Sequence, residues 1–121
     1  MKILLIDDDA FLRDMYATKF NEKGHTIESA ENADIALSLL HEKTYDVVLT
    51  DSVMPGMTGI ELLARIQKEK LAGGPVCIML SNQSEESDKK AALAAGAVGY
   101  LVKSELIPSE VVAEVLKLVS K

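Results

Sequence analysis

Short apolar runs recur along this chain, and the stretches between them carry apolar residues at spacings of three and four. The runs fall at residues 3–6, 47–49, 76–80 and 100–102, with a weaker, partly polar one at 25–29. Each holds only three to five residues and most are bounded by turn-forming types, so length assigns them to strands. The polar character of 25–29 places that strand at or near a sheet edge. Phe11, Leu12, Met15, Tyr16 and Phe20 predict a first helix, which Gly24 ends. Asn32 is placed to cap a second, with Ile35, Ala36, Leu39 and Leu40 inward. Ile60, Leu63, Ala64 and Ile66 predict a third, closing near Gly73-Gly74-Pro75. A fourth starts after Ser84 with Glu85 and Glu86 at its positive end, and Ala91, Ala92, Ala94 and Ala95 offer the sheet a face of small residues. Pro108 opens a fifth, predicted to bury Val111, Val112, Val115, Leu116 and Val119.

Strands that alternate with helices, four of them continuously apolar, indicate an α/β fold whose parallel sheet is covered on both faces. Right-handed crossovers then bring every strand's carboxyl end to one edge, where open sheets of this kind bind ligands. No repeat, low-complexity tract or linker divides the 121 residues, so one domain over 1–121 is expected.

The residues that follow the strands turn this architecture toward chemistry. They are Asp7-Asp8-Asp9, Asp51, Ser81-Asn82 and Lys103-Ser104. Taken singly, most have ordinary explanations: aspartates cap helices, serines sit in turns, lysines are solvated. Asp51 is harder to explain in that way. It ends a buried run with the turn Met54-Pro55-Gly56 behind it, and nearby acids disfavour its ionisation unless a cation intervenes. A small, incomplete cluster of hard oxygen ligands suits Mg²⁺, which keeps several waters and takes a couple of carboxylates plus a phosphate. A hydroxyl and an ammonium opposite would bind the remaining phosphoryl oxygens. The combination describes a site that carries a phosphoryl group on one of its own carboxylates, with Asp51 as nucleophile.

Charge and cysteine usage narrow the alternatives. Nineteen acidic against thirteen basic residues give a net charge of −6, which argues against direct nucleic-acid binding. The single cysteine, Cys77, excludes an internal disulfide and a thiolate-rich metal site, and its apolar neighbours predict a buried, inert thiol. No stretch reaches the length of a membrane span, and the N-terminal apolar run stops at three aspartates. A cytoplasmic protein without membrane insertion is expected.

The motifs "LLIDDD", "VVLTDSVMPGMTGIELL", "IMLSNQ" and "AVGYLVK", in this order and at these spacings, resemble a receiver (CheY-like) domain of the two-component response-regulator family, over essentially the whole chain. The resemblance implies a doubly wound, flavodoxin-like sheet in order 2-1-3-4-5 with five flanking helices. It implies Asp51 as phosphoacceptor, with Mg²⁺ held by Asp8, Asp51 and the Val53 backbone carbonyl, and by Asp7 through water. Ser81 then corresponds to the switch hydroxyl, Lys103 to the cation that pairs with the phosphoryl oxygens, and Tyr100 to the aromatic whose rotamer reports the switch. Asp9 is expected to start the first helix rather than to ligate. Val53 and Gln83 fall at positions that tune the lifetime of the phosphoryl group. Two residues depart from the family pattern: Ser104 stands where proline usually follows the lysine, and Asn82 where alanine or glycine is common.

The function implied is a phosphorylation-dependent signalling switch, not an enzyme beyond its own phosphorylation and dephosphorylation. The phosphoryl donor would be a sensor histidine kinase, a phosphotransfer protein or a small phosphodonor. A downstream protein or a second copy would read the face made by the fourth helix, fifth strand and fifth helix. The chain would act alone or as part of a larger regulator. Two rivals from other classes remain. A phosphohydrolase with an aspartyl nucleophile wants a second acid where Val53 stands, and a non-phosphorylated interaction module would be signalled by loss of Asp51, Asp8 or Lys103, all of which are present.

Overall fold

The structure is a computed structural model and describes residues 1–120; the expected domain end at Lys121 lies outside them. Five strands, β1 (Lys2–Ile6), β2 (Thr26–Ala30), β3 (Val47–Thr50), β4 (Val76–Ser81) and β5 (Gly99–Val102), form one sheet in the order β2-β1-β3-β4-β5. All four pairings are parallel. The helices are α1 (Ala10–Glu22), α2 (Ala33–Glu42), α3 (Gly59–Glu69), α4 (Glu86–Ala94) and α5 (Pro108–Val119). Architecture and order are those that the resemblance implied. The polar strand β2 lies at an edge, as its composition indicated, but starts at Thr26 rather than His25.

Register decides what the carboxyl edge presents. Ile6 pairs with Ala30 on one side and with Thr50 on the other, and Thr50 pairs with Met79. The ladder continues one residue further, since the Asp7 amide donates to the Ala30 carbonyl (3.1 Å) and the Asp51 amide to that of Ile6 (3.0 Å). Asp7 and Asp51 therefore leave the sheet side by side. Ser81 pairs with Val102, which brings Lys103 to the same rim.

Each face of the sheet has its own core, as the two-residue period of a strand requires. Leu4, Ile6, Val48, Cys77 and Met79 pack with Ala36, Leu40, Leu62, Leu63 and Ile66 of α2 and α3. Ile3, Leu5, Val47, Leu49, Ile78 and Leu80 pack with Tyr16 and Phe20 of α1 and Val111, Val112 and Val115 of α5. The Cys77 thiol is 1% exposed and its pKa is pushed up to about 11 by burial, as the inert reading required.

Some expected core positions are not core. Phe11 is 70% exposed, because α1 begins beyond the strand ends and its first turn has no sheet beneath it. On α2 the buried stripe runs through Leu37 rather than the exposed Ile35, and on α3 through Leu62 rather than Ala64. Of the four alanines expected to face the sheet, three lie on α4 and Ala95 caps its end; only Ala92 is deeply buried, while Ala91 and Ala94 face solvent. Leu116 and Val119 are half-buried at the margin of the α5 stripe.

Caps fix where the helices enter. Asp9 accepts from the Leu12 amide and Asn32 from that of Ile35, so Asp9 starts α1 as expected. Thr58 and Glu61 form a capping box on α3. Pro108 stands at the start of α5, and the α4 start has no side-chain cap.

Candidate functional site

Three chain segments converge on one ammonium. Lys103 Nζ donates to Asp7 Oδ2 at 2.6 Å and to Asp51 Oδ2 at 2.9 Å. The Lys103 side chain is 6% exposed, that of Asp7 1% and that of Asp51 13%. Burial disfavours the ammonium, but its hydrogen bonds to Asp7 and Asp51 outweigh that penalty and hold its pKa above the ordinary lysine value. The second Asp7 oxygen accepts from the Asp9 amide at 2.9 Å, and Arg13 Nη1 donates to the Asp7 carbonyl at 2.7 Å, tying α1 to the end of β1. Asp8 stands exposed beside them. One carboxylate oxygen each from Asp7, Asp8 and Asp51 lies within 4.8 Å of the others. Hard oxygen donors, incomplete as a cage, fit a cation that retains water, as Mg²⁺ does.

Asp51 is aimed by the backbone around it. Thr50, fully buried, donates its hydroxyl to the Asp51 carbonyl at 3.1 Å. The Val53 amide approaches Asp51 Oδ1 at 3.4 Å, so Val53 lies on the same rim with its side chain in solvent. Behind this loop the chain turns at Gly56, whose φ of +81° is costly for any other residue type. It then returns, and the Gly59 amide donates to the Ser52 carbonyl at 2.9 Å. A Cβ on Gly59 would collide with the Asp51 carbonyl oxygen. Gly59 is therefore a positioning residue that sequence reasoning missed. Its one visible signal was a glycine, rather than an alanine, directly after a capping threonine.

Ser81 and Tyr100 belong to a second, connected group. The Ser81 hydroxyl bonds to that of Ser52 and accepts from the Gln83 amide at 3.1 Å, rather than bonding to Asp51. The Gln83 carbonyl in turn accepts from Tyr100 Oη at 2.8 Å. A continuous hydrogen-bonded chain thus runs from beside Asp51 to β5. Neither Ser52 nor the linking role of Gln83 was legible in the sequence, because the first depends on the register of β3 with β4 and the second on how β5 lies beside β4. Ser104 sits in a short 3-10 turn, Lys103–Glu105, with no cis peptide bond among the described residues. That turn delivers Lys103 inward without the proline usual at this position.

The chain matches the model of the response regulator receiver domain over residues 3–115. It is 36% identical over 120 residues to "Transcriptional regulatory protein ResD" of Bacillus subtilis, covering 99% of this chain and 48% of that protein. Among solved structures it is similar to the Francisella response regulator 1452 receiver domain, with 31% identity, TM-score 0.88 and coverage of 98% and 96% of the two chains. Chemotaxis response regulator CheY4 of Vibrio cholerae superposes with a TM-score of 0.89 at 26% identity, covering 97% of each chain. The chain spans about half the length of curated relatives such as ResD. The parallel sheet in order 2-1-3-4-5, the acid-and-lysine rim and the match across the chain agree: this protein belongs to the response regulator receiver domain family.

Proposed function

We propose that Asp51 is the phosphoacceptor of this receiver, and that residues 1–121 work as one phosphorylation-dependent switch. The observation that carries the proposal is the Lys103 ammonium held between Asp51 and Asp7, with Asp8 alongside. An Asp51 carboxylate oxygen attacks the phosphorus of a phosphohistidine on a sensor kinase or phosphotransfer protein, or of a small phosphodonor. The bond from phosphorus to the donor atom breaks, the donor keeps that electron pair and takes a proton, and an acyl phosphate forms on Asp51. Asp8, Asp51 and the Val53 carbonyl would hold Mg²⁺, with Asp7 reached through water, because Lys103 and the Asp9 amide occupy the Asp7 oxygens. The ion, when bound, supplies neutralisation of phosphoryl charge. Lys103 stays charged and pairs with a phosphoryl oxygen; Ser81 donates its hydroxyl to another. The protein so modifies itself and turns over no separate substrate.

Movement of Ser81 releases the Gln83 amide and so frees the loop whose carbonyl holds Tyr100, which biases the face formed by α4, β5 and α5. Leu93 and Val98 are exposed on that side, and Leu118 packs over Gly99 at its margin. A downstream protein or a second copy docks there. The phosphoryl donor reaches Asp51 at the carboxyl edge of the sheet, where Phe11, Val53 and Ile107 are exposed on segments that follow β1, β3 and β5.

Intact-mass spectrometry tests the assignment. Acetyl phosphate should add one phosphoryl group to the wild type in the presence of Mg²⁺ and none in its absence or in Asp51→Asn. Equal labelling of the Asp51→Asn variant removes Asp51 as nucleophile.

A further inference from the structure

We propose that Ser52 is a positioning residue for Ser81: its hydroxyl holds the Ser81 hydroxyl in the resting place, which Ser81 leaves to reach a phosphoryl group. The proposal rests on the assignment of Asp51 as phosphoacceptor. Both serines are buried, Ser52 at 7% exposure and Ser81 at 1%, and the Ser52 hydroxyl has no other hydrogen-bond partner among the described residues. Register explains the meeting. Thr50 pairs with Met79, so counting two residues further along each strand sets Ser52 opposite Ser81. Adjacent residues here serve different neighbours: the Asp51 carboxylate turns to Lys103, while the Ser52 hydroxyl turns to β4.

Ser81 has a single O–H to give. In the resting protein its oxygen accepts from the Gln83 amide and is bonded to Ser52, and Asp51 is not among its partners. Engaging a phosphoryl oxygen draws it out of this arrangement and leaves the buried Ser52 hydroxyl without a partner, which opposes the move. A hydrogen bond to a charged phosphoryl oxygen is the stronger one, so the exchange runs forward once the group is present. Ser52 acts only on the resting side of this equilibrium. Removing its hydroxyl therefore favours the engaged state, because a shift follows the difference in interactions between the two states. The same displacement releases the Gln83 amide, so Ser52 stands at the head of the chain that ends at Tyr100.

Ser52→Ala tests this with two readouts. In the ligand-free protein, side-chain three-bond couplings of Ser81 should report one χ1 rotamer for the wild type and an average for the variant. Titration with beryllofluoride and Mg²⁺, followed on the Gln83 amide and the Tyr100 ring, should half-saturate Ser52→Ala at a concentration about five-fold lower, the worth of one ordinary hydrogen bond. A merely structural Ser52 would lower the melting temperature and move neither readout, and that result overturns the proposal. Weaker binding by the variant alone also overturns it, since Ser52 would then support the engaged state. If neither protein binds beryllofluoride, the assignment of Asp51 fails and the role of Ser52 with it, a result distinct from failure of the variant alone.

Discussion

Lys103 arrives at its two carboxylates from β5, at the far side of the sheet from Asp7 on β1, with Asp51 between them. Such a buried group is strongly coupled to its partners: removing one member leaves charges with no compensation, which costs several kcal/mol. Lys103→Met should therefore destabilise the protein by about 3 kcal/mol when Mg²⁺ is absent. Added Mg²⁺ should restore more stability to this variant than to the wild type, because the freed acids gain the cation they lack. Thermal unfolding with and without Mg²⁺ checks both statements; equal Mg²⁺ effects on the two proteins would contradict the second. The acids and the lysine were legible in the sequence because each directly follows a strand, and strand ends meet at one edge. Ser52 was not, since a serine inside a turn-rich loop has no visible partner until the strands are in register.

Elements were legible where their apolar spacing had a phase. Val111, Val112 and Val115 of α5 face the sheet as expected, and so do Tyr16 and Phe20 of α1. The alanines of α4 carry no such phase, since alanine is tolerated on either side of a helix, and only Ala92 proved deeply buried. The edge strand β2 shows another element-scale device. Glu28 accepts from Lys43 Nζ and from Tyr45 Oη, both at 2.7 Å, which ties β2 to the segment entering β3. The Lys43 hydrogen bond, then that of Tyr45, holds the Glu28 carboxyl below the ordinary glutamate pKa despite partial burial. A depressed pKa contributes stability that is present above the unfolded-state value and lost as pH falls through the folded one. Glu28→Gln should thus be less stable than wild type at neutral pH, by about 0.5–1 kcal/mol for so exposed a pair. Urea denaturation should show that gap closing as pH drops below about 4. A gap that persists at low pH would assign the effect to packing instead.

At the scale of the molecule, fold class followed from the alternation of strands and helices, but periodicity says nothing about strand order. The order 2-1-3-4-5 was implied by the family motifs, and the structure has it. That order seats Cys77 of β4 well inside the sheet, between β3 and β5, against the core shared by α2 and α3. A thiol so placed, with its pKa raised, reacts only when the protein opens. The chain accordingly carries its own clock. Labelling of Cys77 by an aromatic disulfide reagent, followed by absorbance, should time global opening with no engineered probe. A ligand that binds only the folded form lengthens each tick by the factor it adds to the folded population, about 100-fold at a hundred times its Kd. Beryllofluoride with Mg²⁺ should slow the wild type to that extent and leave Asp51→Asn unchanged. A labelling rate indifferent to ligand would mean that β4 is reached by a local opening. As long as the clock runs with the whole fold, every partner of this switch can be weighed by how long it keeps one sulfur atom silent.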